Sequence, residues 1–147
     1  MKNYTIIQTK KSKLIYKLAD RFDADMHAIN TINLAWILKV QEKDKGIIGV
    51  NRWKKDFSTI DLFVSEESVY QDSIMNSLVR FIIQKARFAN IKSIYCHMGS
   101  EKAKYFLNNN FKYINEKNLP KDYFCSCHLC DDYNKSCFPK PLNWEDL

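Results

Sequence analysis

The chain has 147 residues, 46% of them apolar and 14% aromatic, with only three glycines and three prolines. That suffices for one domain with a real core and excludes a linker-rich or disordered polymer. The formal charge of +6 favours an anionic partner, a nucleotide cofactor, a nucleic acid or an acidic protein. The lysines are scattered, however, without a basic run or interleaved aromatic stripe.

Residues 4–8 read as a first strand, rich in β-branched side chains. Ser12 stands as cap to a helix running to about Arg21, with Leu14, Ile15, Leu18, Ala19 and Phe22 on its apolar face. Residues 23–33 give no single period. Residues 35–40 and 46–53 form two strands joined by a polar turn at 42–45, and 59–64 adds a third member of this meander. Asp72 and Ser73 are cap types opening a long helix to about Ala89, in which Ile74, Leu78, Ile82 and Ala86 repeat at helical spacing. A short strand at 93–97, a helix from Ser100 to about Asn109 and a strand at 111–114 complete the pattern. Strands and helices alternate, but the meander is antiparallel, so the expected class is α+β with a mixed, largely antiparallel sheet.

After Leu119-Pro120 the periodicity dissolves. Cys125, Cys127, Cys130 and Cys137 crowd together there, with His128 among them and Cys96 far upstream. The start of the chain has no h-region of a secretory leader, and no apolar run is long enough to span a bilayer. A cytoplasmic location is expected, where thiols stay reduced, so the cluster reads as metal before disulfide. Tetrahedral zinc on the four cysteines is the leading expectation, with His128 or His97 as alternative fourth ligand and an iron–sulfur cluster as a second choice. Its role would be structural, stapling a tail with little core of its own, which Phe138 and Trp144 would dock on the main domain. The expected division is therefore 1–118 and a Cys-rich tail, 119–147.

The order of elements resembles the GNAT acyltransferase superfamily. Leu62-Phe63-Val64-Ser65 is similar to that family's strand end before the acetyl-CoA loop, and residues 103–111 are similar to its A-x-x-F-[FY]-x-x-x-G-F ending, with Asn110 in place of glycine. Leu119-Pro120 with the following cysteines is similar to the end of short N-acetylglutamate-synthase-like members. The resemblance implies acetyl-CoA as co-substrate and a small-molecule amine, an amino acid among the candidates, as acceptor. It implies direct transfer in a ternary complex, with a homodimer as candidate assembly.

By that resemblance Phe63 and Val64 would pair with the pantetheine arm, and Gln71, Asp72, Ser73, Ile74 and Met75 would face the pyrophosphate. The family's loop glycines are replaced by Ser73 and Met75, and Asp72 brings a negative charge, so cofactor binding is expected to be weakened. The family's general-acid tyrosine matches Phe106, which has no proton to give. His97, at a strand end, and Asp61, on the strand before the loop, are the two candidate bases. A non-catalytic module of the same fold, acting through its zinc tail in protein interaction, is the alternative reading. A zinc module on nucleic acid is the weakest, for want of a recognition-helix pattern.

Overall fold

The computed structural model describes residues 3–10 and 13–146; the expected cap Ser12 lies outside them. Strand β1 (Thr5–Lys10) leads to α1 (Lys13–Arg21), which buries Ile15, Leu18 and Ala19. The stretch without a clear period forms α2 (Met26–Thr31), capped by Asp25, whose carboxylate accepts from the His27 amide at 2.8 Å. The meander follows as β2 (Leu34–Val40), β3 (Lys43–Trp53) and β4 (Ser58–Ser65). Its first turn is tighter than expected. Gln41 and Glu42 both take left-handed φ (51° and 64°), and β3 resumes at once.

Helix α3 (Gln71–Phe88) starts after Tyr70 with no side-chain cap, so neither Asp72 nor Ser73 plays the expected capping role. Strand β5 (Ser93–Met98), α4 (Ser100–Leu107) and β6 (Lys112–Tyr113) follow. Asn90 and Asn110 close the two helices in the left-handed conformation, at φ 59° and 69°. Asn tolerates that conformation where glycine is usual, which accounts for Asn110. Residues 140–145 then form a further strand, β7 (Lys140–Glu145).

The described residues build one seven-stranded sheet in the order β1-β2-β3-β4-β5-β7-β6. All neighbours are antiparallel except β4 and β5. Alternation along β2 and β3 divides the core between the two faces. Trp36, Leu38, Ile48 and Val50 pack with α3 and α4 residues, and Ala35, Ile37 and Ile47 pack with α1 and α2 residues.

The segment expected as a tail thus returns into the sheet. β7 lies between β5 and β6, pairing Ile94 with Trp144 and Cys96 with Leu142. Leu142 and Trp144 are buried in the α3 face of the core, while Phe138 is 63% exposed and anchors nothing. The four clustered cysteines occupy the connection between β6 and β7.

Candidate active site between two parting strands

Parallel pairing of β4 with β5 is confined to Ser58–Ile94 and Thr59–Tyr95. Beyond it the two strands part, and the β6–β7 connection covers the opening.

A pair of bulges shapes the β4 wall. Gly49 faces Leu62 and Val50 faces Ile60, so Asp61 is an extra residue in β4. Asn51 is the corresponding extra residue in β3. The consequence is a slip of phase: Ile60 and Phe63 face α3, whereas Leu62 and Val64 face α1 and α2. Simple alternation along β4 is broken there.

The re-aimed Asp61 carboxylate is fully engaged. It accepts from the Ser126 amide (3.0 Å to each oxygen), Ser126 Oγ (2.7 Å), Thr31 Oγ1 (2.5 Å) and Asn51 Nδ2 (3.1 Å). Asn51 Nδ2 also donates to the Phe124 carbonyl at 2.9 Å. The two bulges therefore hold the connection in place, with a 3-10 turn at Ser126–Leu129 packed on α2.

His97 lies opposite on β5, its side chain wholly buried. Its Nδ1 is 2.6 Å from the Tyr123 hydroxyl and its Nε2 is 2.9 Å from Glu116 Oε1. The Glu116 side chain is 55% exposed and links this pair to solvent. Burial works against the charged imidazole. Hydrogen bonding and attraction from Cys125, then from Glu116, outweigh it, so His97 holds its proton above the usual histidine range. The rings of His128 and Tyr133 stand edge-on to His97.

Cys125 completes the cluster. A hydrogen bond from Cys127 lowers its pKa; burial opposes this, and bonds from His97 and Tyr123 add to the lowering, leaving the thiol at about 4. Cys127 is pushed in the opposite direction, because it keeps the one proton the two sulfurs share, with burial and the Asp61 charge adding to the shift. Burial and the neighbouring thiolate likewise push Tyr123 and Cys96 upward. Tyr123 and Glu116 thus occupy the two ring nitrogens of His97.

The expected zinc set is not assembled. Among the described residues no three of His, Cys, Asp and Glu come together in a way that would hold a metal ion, and all five cysteines are free. Backbone closes the turn instead: Asp132 O accepts from the amides of Lys135, Ser136 and Cys137, and Asn134 N donates to Cys137 O at 2.7 Å. The staple is made by Asp61, Asn51 and His97. Cys96, upstream on β5, is fully buried in the core.

The expected cofactor residues separate into two groups. Ile74 and Met75 are core residues at 1% and 2% exposure, and the Ile74 amide is spent on Tyr70 O at 3.0 Å. The Gln71 amide bonds Ser68 O, which leaves the Asp72 and Ser73 amides at the open first turn. The Asp72 carboxylate accepts from the Tyr105 hydroxyl at 2.5 Å, with Lys104 Nζ 3.7 Å away. Tyr105 is pushed up to about 12 by burial and by that carboxylate.

On β4, the side chains of Phe63 and Val64 are buried in opposite cores, and the Phe63 carbonyl accepts from Lys102 Nζ at 2.6 Å. Burial lowers the Lys102 pKa, partly offset by the nearby Cys127 sulfur and Glu101. Phe106, wholly buried, packs on Phe63 and Phe111.

Sequence reasoning missed Glu116, Tyr123 and Lys102. Tyr123 and Glu116 lie in a stretch without periodicity, and only its crowding of polar and aromatic residues beside the cysteines marked it.

Comparison with solved structures agrees with this geometry. The chain is similar to N-acetylglutamate synthase from Neisseria gonorrhoeae, solved with coenzyme A and N-acetylglutamate: TM-score 0.70, 15% identity, over 99% of this chain and 35% of that one. It is similar over nearly its whole length (98%) to all of an IAA acetyltransferase from Bacillus cereus, with TM-score 0.72 and 14% identity. A GNAT family acetyltransferase from Elizabethkingia anophelis, solved with acetyl-CoA, gives TM-score 0.65 and 15% identity over 99% and 100% of the two chains. The chain spans about a third of the Neisseria protein. No family model matches the sequence, and no curated protein matches it. At these identities the likeness establishes the fold, which is that of the GNAT acetyltransferases.

Proposed function

We propose that the protein is an N-acyltransferase that moves an acetyl group from acetyl-CoA to the amine of a small molecule, amino acids being among the candidate acceptors. The observation that carries this reading is the parting of β4 from β5 with the Glu116–His97–Tyr123 relay set at the opening. Transfer to an amine needs a group to take the ammonium proton and one to return a proton to the departing thiolate. Glu116, exposed and bonded to His97, is placed for the first. The Tyr123 phenol is placed for the second, in a position unrelated to the Phe106 site. His97 connects them. Asp61 has no free lone pair facing the opening and acts as a positioning residue. No step is assigned to zinc, since the thiols do not form a metal set.

Two contacts favour the second reading, a non-catalytic module. The Lys102 ammonium occupies the Phe63 carbonyl, and Asp72 stands at the helix start where a diphosphate would lie. Calorimetry with acetyl-CoA separates the two, using the parent and Lys102→Met. On the acyltransferase reading both bind. The variant binds roughly tenfold more tightly, because a charge-assisted hydrogen bond of about 1.5 kcal/mol no longer has to be broken. Absence of binding by both, in protein with a cooperative unfolding transition, would overturn the acyltransferase reading.

A further inference from the structure

We infer that the edge of the sheet where β4 and β5 begin is a docking face for an anionic lipid surface. Phe88 enters below the headgroup phosphates, and lysines beside it stay at their level. The inference goes beyond the acyl chemistry proposed above and does not depend on it.

The lysines are scattered along the sequence, but the fold gathers five of them at this edge. Lys10 ends β1 opposite Leu34, which itself faces Val50 in β3. Lys54 and Lys55 lie in the connection from β3 to β4. Lys92 stands just before β5, and its amide donates to the Lys55 carbonyl at 3.0 Å. Lys85 lies in the last turn of α3, one turn before Phe88. All five are exposed, and among the described residues none of them forms an ion pair. Lys85 Nζ instead lies over the Phe81 ring, 5.6 Å from its centre.

The arginines at this edge are already engaged. Arg52 Nη2 holds both Asp56 oxygens, at 3.0 and 2.8 Å, and Arg87 Nε is 3.6 Å from Asp146. The Glu145 carboxylate accepts from Asn143 Nδ2. Asp122, which shares a cavity wall with Lys54, is a further acid. The edge keeps an excess of positive charge all the same.

Phe88 is 88% exposed at the end of α3, where its ring does nothing for the folded chain. Trp53, half-buried against Trp36 with ring centres 5.0 Å apart, immediately precedes Lys54. Apolar rings flanked by free lysines are the composition of an interfacial anchor. The rings enter the acyl boundary, while ammonium groups on flexible stems remain with the phosphates. Nucleic acid fits less well, since neither arginine is free for bidentate phosphate contact and the lysines flank an apolar tip. The orientation is also productive. β4 and β5 part beyond Thr59–Tyr95, toward their other ends, so a chain seated on this edge turns its opening to solvent.

The test is co-sedimentation of the full chain with vesicles of phosphatidylcholine, with and without phosphatidylserine. Binding is expected only with phosphatidylserine, and high salt should weaken it. Lys54→Gln and Lys55→Gln should each weaken it about fivefold, from the attraction of one lysine to an anionic surface. Phe88→Ala should weaken it about tenfold, from the apolar area no longer inserted. These residues are exposed, so an unchanged urea midpoint is expected for each variant. Lys140→Gln, opposite Met98 at the far end of β5, should bind as the parent does. Absence of binding to phosphatidylserine vesicles, or equal binding to neutral ones, would overturn the inference. So would a loss in Lys140→Gln equal to that in Lys54→Gln, which would mean diffuse charge without a docking face. Displacement of the chain from vesicles by RNA, with Phe88→Ala binding as the parent does, would refute lipid as the occupant.

Discussion

Replacing Asp61 with alanine would release the β6–β7 connection from the sheet. Ser126 is 4% exposed, and both its amide and its hydroxyl donate to this carboxylate. Each buried donor stripped of its acceptor costs about 1–3 kcal/mol, so the pair sums to about 2–6 kcal/mol. Thr31 and Asn51 add little. Thr31 Oγ1 also bonds Ala28 O at 3.0 Å, and Asn51 still reaches Phe124 O. A central value of about 4 kcal/mol is therefore expected as a lower urea midpoint at unchanged slope. Hydrogen exchange reads the same event locally: at the low end of about 2 kcal/mol the Ser126 amide should exchange roughly thirtyfold faster. Asp61→Asn, which keeps one acceptor oxygen, should fall between the two. If the urea midpoint and Ser126 protection are both unchanged while acetyl transfer is lost, the anchoring role is wrong and Asp61 is the base after all.

Two further outcomes follow from the same contacts. His97 binds its proton more tightly in the folded state than in the unfolded chain. Its contribution to stability is complete below the unfolded value of about 6.5 and is lost as pH rises through the higher folded pKa. Glu116→Gln removes one of the two anions and should lower the ring-proton titration midpoint of His97 by NMR and flatten that loss. A midpoint unmoved by the substitution would remove Glu116 from the relay. Trp144→Ala should cost about 3–5 kcal/mol in urea unfolding, because the ring is 2% exposed in β7 with the Arg87 guanidinium 5.4 Å from its centre. Phe138→Ala should stay within about 0.5 kcal/mol; equal effects would mean that β7 is merely docked.

The meander and the long helix were legible because period alone decides them. Asn110 was legible from conformational cost, and its φ of 69° agrees. β7 was not legible: Pro141 interrupts its ladder and usually argues against an interior strand, yet here its carbonyl pairs with the Ile114 amide. The Gln41-Glu42 turn was hidden because neither residue is a usual choice for positive φ. Asp61 was picked out for its charge and its strand, but bulges leave no composition signal, and a shift of one residue decided which side it faces. The cysteine spacing suggested a ligand set. What spacing cannot convey is that a half-buried carboxylate and a buried histidine on two strands already hold the segment.

The placement of β7 has a consequence for how the chain folds. As synthesis proceeds from the N-terminus, β5 emerges long before its antiparallel neighbour and carries an unpaired edge in the meantime. The cysteines of the connection leave the ribosome ahead of residues 140–145, the stretch that fastens them down. During that interval His97 lacks the finished sheet against which Tyr123 and Glu116 meet its two ring nitrogens. The contacts of the candidate site are thus completed only when β7 takes its place between β5 and β6.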